Sequence, residues 1–227
     1  MSTLIPKNWI DLDRFLEEWY GTPNASPCVP IEDQIAPRKL VEWHRISSKW
    51  NGQITPQNYA IPLERLQKNG GLIEFWAESQ GNWSWAFDPN GDGHAVYDQD
   101  ATGKPTPWRE TGETLEEFLI HATVLEAVFG APEATTATNV PLEWILTHGE
   151  CALFYQEWRW PAQGSRIVAG GRWIGLVSPV REGSVEYDIT LGARHAEQLT
   201  WVLEAPGIDW QSYSASENTT DDEPLPW

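Results

Sequence analysis

The chain has 227 residues, enough for one large domain that buries a core without disulfide bonds. Its 33 acidic and 15 basic residues give a formal net charge of −18, which disfavours nucleic acid and anionic membranes as partners. This charge either favours a basic protein partner or serves only to keep the protein in solution, and composition alone leaves both open. No apolar run approaches the roughly 18 residues of a membrane-spanning helix, and the N-terminus lacks the pattern of a secretory signal. We therefore expect a cytoplasmic protein with no membrane partner.

The first half of the chain predicts two helices followed by strands. Apolar residues at helical spacing predict a helix that begins at Asp11, as its N-cap, and stops at Gly21. A second helix is predicted from about Pro37 to about Trp50, because proline suits a first helical turn. Turn signals then delimit a short helical turn at 63–66 and strands at 72–77, 83–87 and 95–97.

The second half predicts one long helix and then strands. Thr114 and Glu117 have capping-box spacing and begin a helix that Gly130 and Pro132 end. The Ala/Thr-rich stretch 133–140 has the composition of a linker. Three strands and a closing helix are predicted after it, at 151–159, 166–177, 184–191 and 194–204.

This order of elements predicts an α+β fold with a central, mostly antiparallel twisted sheet flanked by helices. We expect residues 1–28 to form an N-terminal helical extension and residues 29–210 to form a single domain. Residues 211–227 are polar, acidic and without periodicity, so we expect a disordered tail.

The sequence contains no recognisable catalytic motif. The five histidines lack metal-ligand spacing, and no nucleophile elbow or phosphate-binding glycine loop is present. Cys28 and Cys151 have no CxxC partner, so buried free thiols are expected. The sequence therefore predicts a protein that is not an enzyme and that binds no metal or cofactor.

The segment from Asp88 to Gly93 matches the first half of an EF-hand loop. The twelfth position, which should be a bidentate glutamate, is Gln99, and the flanks predict strands rather than helices. A polar turn between strands is therefore the preferred interpretation over a calcium site.

Two compositional features point to an interface. No Lys or Arg lies between Arg109 and Arg159, a span rich in glutamate, so part of the surface must be strongly negative. Fifteen tryptophans are the compositional outlier. Most should fill the core, and the remainder suit protein interfaces or sugar-binding clefts.

Short motifs from about residue 30 to residue 130 resemble those of the SUKH superfamily, which includes fungal cell-wall glucan-synthesis regulators and bacterial immunity proteins. A strand with Phe75 leads into Glu78-Ser79-Gln80-Gly81 and then to Trp85. These motifs are followed by Asp88-Pro89, Val96-Tyr97 and Leu115-Glu116-Glu117-Phe118-Leu119, and preceded by the helix Arg38–His44. The chain departs from the family pattern at 93–95, where a double proline is usual.

The resemblance implies an α+β fold without catalysis and a protein that binds and neutralises a toxin domain. Since many such toxins act on nucleic acids and are basic, an acidic surface would suit this partner. The candidate contacts lie in and beside the acidic segment 88–100, and are Trp83, Asp88, Asp92, Asp98, Asp100 and Trp108.

Two alternatives stay open at this point. One is a regulatory scaffold that binds another host protein through the same fold. The other is a carbohydrate-binding or carbohydrate-active protein, motivated by the tryptophan content.

Overall fold

The computed structural model describes residues 5–27, 35–51, 54–148 and 152–214. The chain divides into two compact units, an N-terminal unit (Pro6–Ala127) and a C-terminal unit (Val128–Trp227) that also includes Met1–Ile5. The sequence predicted one domain over residues 29–210, preceded by a helical extension. In the structure the first helix belongs to the N-terminal unit, and the second half of the chain builds a sheet of its own.

The described residues of the N-terminal unit form three helices and six strands. The helices are α1 (Trp9–Tyr20), α2 (Arg38–Ser47) and α3 (Leu115–Phe129), the last of which crosses the unit boundary. The strands are β1 (Asn58–Ala60), β2 (Gln67–Asn69), β3 (Leu72–Glu78), β4 (Trp83–Phe87), β5 (Ala95–Asp100) and β6 (Arg109–Thr114). A 3₁₀ turn at Leu63–Arg65 precedes β2.

These strands form one antiparallel sheet in the order β1-β3-β4-β5-β6, with β2 also paired to β3. A one-residue shift in register makes Phe75 the extra residue of a β-bulge in β3. Neighbouring residues of a regular strand point to opposite faces. The bulge instead lets Phe75 and Trp76 both contact Phe118 of α3, at ring-centroid distances of 5.1 and 5.9 Å.

The ends of the helices follow from local capping. Asn8, not Asp11, is the N-cap of α1, since its side-chain oxygen accepts hydrogen bonds from the main-chain N–H groups of Ile10 and Asp11. Gly21 ends α1 at φ 83°, as predicted. The capping box is also confirmed, because the carboxylate of Glu117 accepts from Thr114 N–H and Thr114 Oγ1 accepts from Glu117 N–H.

In the C-terminal unit, the part of the chain that the structure describes forms six strands and two short helices. The helices are α4 (Leu142–His148) and α5 (Thr200–Leu203). The strands are β7 (Glu133–Pro141), β8 (Ala152–Trp158), β9 (Ser165–Ala169), β10 (Trp173–Pro179), β11 (Glu186–Ala193) and β12 (Gln211–Ser214). They form a second antiparallel sheet in the order β12-β7-β11-β10-β9-β8.

Several predictions for this half were wrong. The predicted linker 133–140 is strand β7, which pairs with β11 on one side and β12 on the other. The predicted strand 166–177 is two strands, β9 and β10, joined by a turn at Gly170 and Gly171. The predicted helix 194–204 is a 3₁₀ turn at 196–198 followed by α5.

The predicted disordered tail begins with a strand, because residues 211–214 pair with β7. The rest of that tail and both cysteines lie outside the described residues. The α+β class with antiparallel sheets is confirmed, although the strands are divided between two sheets. Among the described residues no helix has both the length and the apolar character needed to cross a bilayer.

Candidate partner-binding surface

The predicted contact residues do not form one loop. Asp88 and Asp92 lie in the turn that joins the end of β4 to the start of β5. Trp83 and Asp100 lie opposite each other at the far ends of the same two strands. At about 3.3 Å per residue, the five residues of β4 separate these two groups by about 16 Å. The acidic segment 88–100 is therefore a turn and a strand, with candidates at both ends.

Asp98 does not belong to an exposed surface. It is 4% exposed and lies opposite Trp85 on one neighbouring strand and Arg109 on the other. Directly opposed residues of paired strands share a face of the sheet, and Trp85 is on the buried face. The alternation of side chains along β5 thus turns Asp98 inward, and its contact with a partner stays a prediction that would require this side chain to become accessible.

The turn at Asp88 is organised by its own hydrogen bonds. Asp88 Oδ1 accepts from the main-chain N–H of Asn90 at 2.9 Å, and the main-chain oxygen of Asp88 lies 3.0 Å from His94 Nδ1. Gln99, the twelfth position of the EF-hand pattern, instead donates from its side chain to the carbonyl of Thr106. Within the described ranges no three His, Cys, Asp or Glu side chains are grouped to hold a metal ion.

The other end of these strands carries Trp83, Asp100 and Trp108. Both tryptophans are half-buried, and the indole N–H of Trp83 is buried without a hydrogen-bond acceptor. Asp100 Oδ1 accepts from the main-chain N–H of Thr102 at 2.8 Å, so one carboxylate oxygen is used within the β5–β6 connection. Exposed Asp92 is the predicted acidic residue whose side chain is most available to a partner.

Glu78 shapes the hairpin between β3 and β4. Its buried carboxylate accepts from the main-chain N–H groups of Gln80 and Asn82 at 2.9 and 3.1 Å, and from the hydroxyl of Ser79 at 3.1 Å. Gly81 adopts φ 75°, which favours glycine. The Glu-Ser-Gln-Gly segment therefore fixes the fold locally rather than presenting a binding group.

A second aromatic group, which sequence reasoning missed, lies in the C-terminal unit. We call it the aromatic layer and define it as Trp144, Trp201 and Trp210. Trp144 stacks on Trp201 with ring centroids 5.9 Å apart and an interplanar angle of 12°, and it lies 5.9 Å from Trp210. All three rings are half-buried and pack on the outside of the core that covers the second sheet.

The aromatic layer lies between a buried ring and an exposed one. Beneath it, Trp173 is 5% exposed and lies 5.3 Å from Trp201. At its outer end, the exposed ring of His148 stacks on Trp144 at 4.9 Å. The indole N–H groups of Trp201 and Trp210 are buried without an acceptor.

Three buried ionisable groups of the N-terminal unit have shifted pKa values. Burial raises the pKa of Glu126 to about 7, although hydrogen bonds from Gln57 and Asn58 oppose this shift. Burial, and then the negative charge of Glu126, raise the pKa of Tyr20. Burial lowers the pKa of His44 to about 4, partly offset by the charge of Glu64 and by a main-chain hydrogen bond, so His44 is neutral at pH 7.

His44 lines a cavity of about 240 Å³ between α2 and β1. Hydroxyl and aromatic side chains make up much of its wall, and the Nε2 atom of His44 is buried without a partner. The lining residues are Trp43, His44, Ser47, Ser48, Ile54, Thr55, Tyr59 and Ala60.

Comparisons with known proteins give one partial similarity. Over 74 residues the chain is 35% identical to a subunit of the cytolethal distending toxin from Aggregatibacter actinomycetemcomitans, and the match covers 32% of this chain and 30% of that toxin protein. No family model matches the chain, and no solved structure matches it. The similarity to the toxin protein is thus confined to about a third of each chain.

Proposed function

We propose that this protein is a cytoplasmic, non-catalytic immunity protein of the SUKH type, which neutralises a basic toxin domain by direct contact. The observation that carries this proposal is the net charge of −18 together with a surface that presents acidic and aromatic side chains. The β3–β4 hairpin and its flanking motifs resemble those of that superfamily. This resemblance is the reason for proposing a toxin domain as the basic partner.

The negative net charge supports a basic partner because electrostatic attraction acts on two proteins before they touch. A strongly acidic protein attracts a basic domain through solution, which raises the association rate and disfavours acidic competitors. Aromatic side chains then supply contact area at small cost in conformational entropy. Exposed Asp92, with half-buried Trp83 and Trp108, provides both kinds of group in the N-terminal unit.

The direct test is to look for a toxin gene adjacent to the gene of this protein and to co-express its toxin domain with this chain. We expect cells that make the active toxin domain to survive only when the full chain is co-expressed, and the two proteins to co-purify. A catalytically inactivated toxin domain should still co-purify, because the proposal requires binding and not turnover. Loss of both survival and co-purification would overturn the proposal.

The salt dependence of the association rate tests whether charge attracts the toxin domain. The association rate of the two purified proteins should fall steeply when NaCl is raised from low to high concentration, about tenfold or more, because salt screens charges beyond a Debye length. The dissociation rate should change much less. An association rate that is independent of salt would remove charge steering from the proposal.

A further inference from the structure

The turn between β4 and β5 contains one of the three Asn-Gly pairs of the chain, which are Asn51-Gly52, Asn69-Gly70 and Asn90-Gly91. An asparagine that precedes a glycine is open to a spontaneous reaction. Glycine has no Cβ atom to obstruct the approach of its main-chain nitrogen to the asparagine side chain. The folded structure around each pair then decides how readily the reaction occurs. Gly52 lies outside the described residues, so two pairs can be compared.

At Asn90-Gly91 the reacting groups are accessible. The side chain of Asn90 is exposed. The main-chain N–H of Gly91 donates to no group among the described residues, so the attacking nitrogen has no hydrogen bond to break. The side-chain amide of Asn90 donates to Asp88 Oδ1, but at 3.3 Å this is a long hydrogen bond. It engages the nitrogen that leaves and not the carbon that is attacked.

The main chain of this turn is held mainly on either side of Asn90. Asp88 N–H donates to the carbonyl of Ala95 at 3.0 Å, and His94 N–H donates to the carbonyl of Gly91 at 3.2 Å. The main-chain N–H of Asn90 is bound only by a side chain, Asp88 Oδ1 at 2.9 Å. Rotation of Asn90 therefore opens no hydrogen bond between its own main chain and that of another described residue.

The pair Asn69-Gly70 has the same sequence in a tighter setting. Asn69 ends β2 and pairs with Leu72 of β3 across a two-residue turn. Gly70 and Gly71 in that turn have φ of 61° and 95°, the left-handed values of a type I′ hairpin. Moving the Asn69 side chain onto the Gly70 nitrogen would distort the residue pair that closes the hairpin. Asn69 is thus an internal comparison for Asn90.

We infer that Asn90 is a site of spontaneous deamidation through a succinimide. The Gly91 nitrogen attacks Asn90 Cγ, so that a new N–Cγ bond forms and the Cγ–Nδ2 bond breaks. Ammonia leaves, taking with it the amide proton of Gly91. Water then opens the succinimide ring at either carbonyl, which gives aspartate or isoaspartate. This reaction does not depend on the proposed function.

The product differs from Asn90 in charge and in contacts. A carboxylate at this position would stand between Asp88 and Asp92 in the chain, and it would face Asp88 Oδ1 where the amide now donates. The turn would lose a hydrogen bond and gain a repulsion between like charges. Ageing of the protein therefore adds negative charge beside Asp92, the exposed acidic candidate for partner contact.

Peptide mapping of the full chain, incubated for several days at neutral pH, tests this inference. Chymotrypsin cuts after aromatic residues, so residues 67–75 and 88–97 fall in different peptides. Mass spectrometry then follows the conversion of amide to acid at Asn69 and Asn90. We expect conversion to be about tenfold or more faster at Asn90, because the hairpin pair must open before Asn69 can react. The converted 88–97 peptide should separate into two isomers, aspartate and isoaspartate.

Gly91→Ala is the variant that isolates the chemistry. No left-handed backbone is required at Gly91, and an added Cβ atom would lie 3.6 Å from Asp88 Oδ2, which is an ordinary contact. The variant should keep the melting temperature of the wild type. Conversion at Asn90 should slow about tenfold, because the methyl group obstructs the attacking nitrogen. Conversion at Asn69 should not change and is the control within the same sample.

A denatured sample separates the effect of local sequence from that of the fold. In concentrated urea the two asparagines should convert at rates within about threefold of each other, because each precedes a glycine and the hairpin is open. A preference for Asn90 that persists in urea would overturn the inference, since the folded turn would not be its cause. Conversion at Asn90 no faster than at Asn69 in the folded chain, a single product isomer, or an unchanged rate in Gly91→Ala would each overturn it as well.

Discussion

The carboxylate of Glu126 on α3 holds Asn58 at the start of β1 by hydrogen bonds from two parts of the same residue. Its Oε1 accepts from Asn58 Nδ2 at 2.6 Å and from Asn58 main-chain N–H at 3.2 Å. Its Oε2 accepts from Gln57 main-chain N–H at 2.9 Å. Glu126 has no exposed surface, so these donors replace water around its carboxylate.

Replacing Glu126 by glutamine should remove a pH dependence of stability. Because burial raises the pKa of Glu126 from 4.5 to about 7, the folded state binds the proton more tightly than the unfolded state. Its contribution to stability is therefore full below pH 4.5 and is lost as the pH rises to about 7, a loss of about 3 kcal/mol. Urea unfolding across this pH range should show this loss in the wild type relative to Glu126→Gln. Parallel curves for the two proteins would contradict the prediction.

Replacing His44 by glutamine should remove a pH dependence of the opposite sign. Burial lowers the pKa of His44 from 6.5 to about 4, so the folded state binds the proton less tightly than the unfolded state. Its contribution to stability is full above pH 6.5 and is lost as the pH falls to about 4. Relative to the wild type, His44→Gln should gain stability on acidification across this window. His195→Gln, at an exposed histidine, is the control and should follow the wild type.

Glu78→Gln should destabilise the hairpin between β3 and β4. Glutamine offers one acceptor oxygen where the carboxylate offers two, and its amide N–H₂ would face main-chain donors. We expect a loss of about 1–3 kcal/mol in the free energy of unfolding, measured by urea denaturation. Glu74→Gln, at a half-buried position of the same strand, is the matched control and should change stability by less than about 0.5 kcal/mol. A similar loss in both variants would contradict the turn-forming role of Glu78.

Gly175→Ala should destabilise the C-terminal unit far more than Gly171→Ala. A Cβ atom at Gly175 would lie 2.5 Å from Leu191 Cδ2 and 2.8 Å from the main-chain oxygen of Thr190, and main chain cannot easily move away. A Cβ atom at Gly171 would meet nothing within 4 Å. We expect a loss of about 1–3 kcal/mol for Gly175→Ala by thermal melting and little change for Gly171→Ala. Equal melting temperatures would show that β10 and β11 can separate to admit the methyl group.

The sequence predicted best where neighbouring residues determine the structure. The strand β4 and the capping box of α3 were located correctly, because glycine turns and capping side chains act over a few residues. The sequence predicted poorly where the structure depends on pairing between strands that are far apart in the chain. Strand β7 contains small side chains such as Thr135 and Ala137, both buried, which resemble a linker in sequence and suit a strand enclosed by two others.

The candidate site could be predicted only in part, for similar reasons. Acidic residues are usually exposed, so Asp98 was predicted at a surface, and only the register of β5 against Trp85 shows that it is buried. The cation-free span after Arg109 was visible in the sequence. The stacking of Trp144 on Trp201 was not, because it depends on tertiary structure.

The position of β7 has a consequence for how the chain is made. Both of its neighbours, β11 and β12, are encoded well after it, and β12 ends only at Ser214. When β7 has just emerged from the ribosome, both of its edges lack a partner strand. Both edges are paired only after about seventy further residues have emerged and β11 and β12 have formed. The order of synthesis thus gives the second sheet a long interval in which unpaired strand edges are available to chaperones or to aggregation.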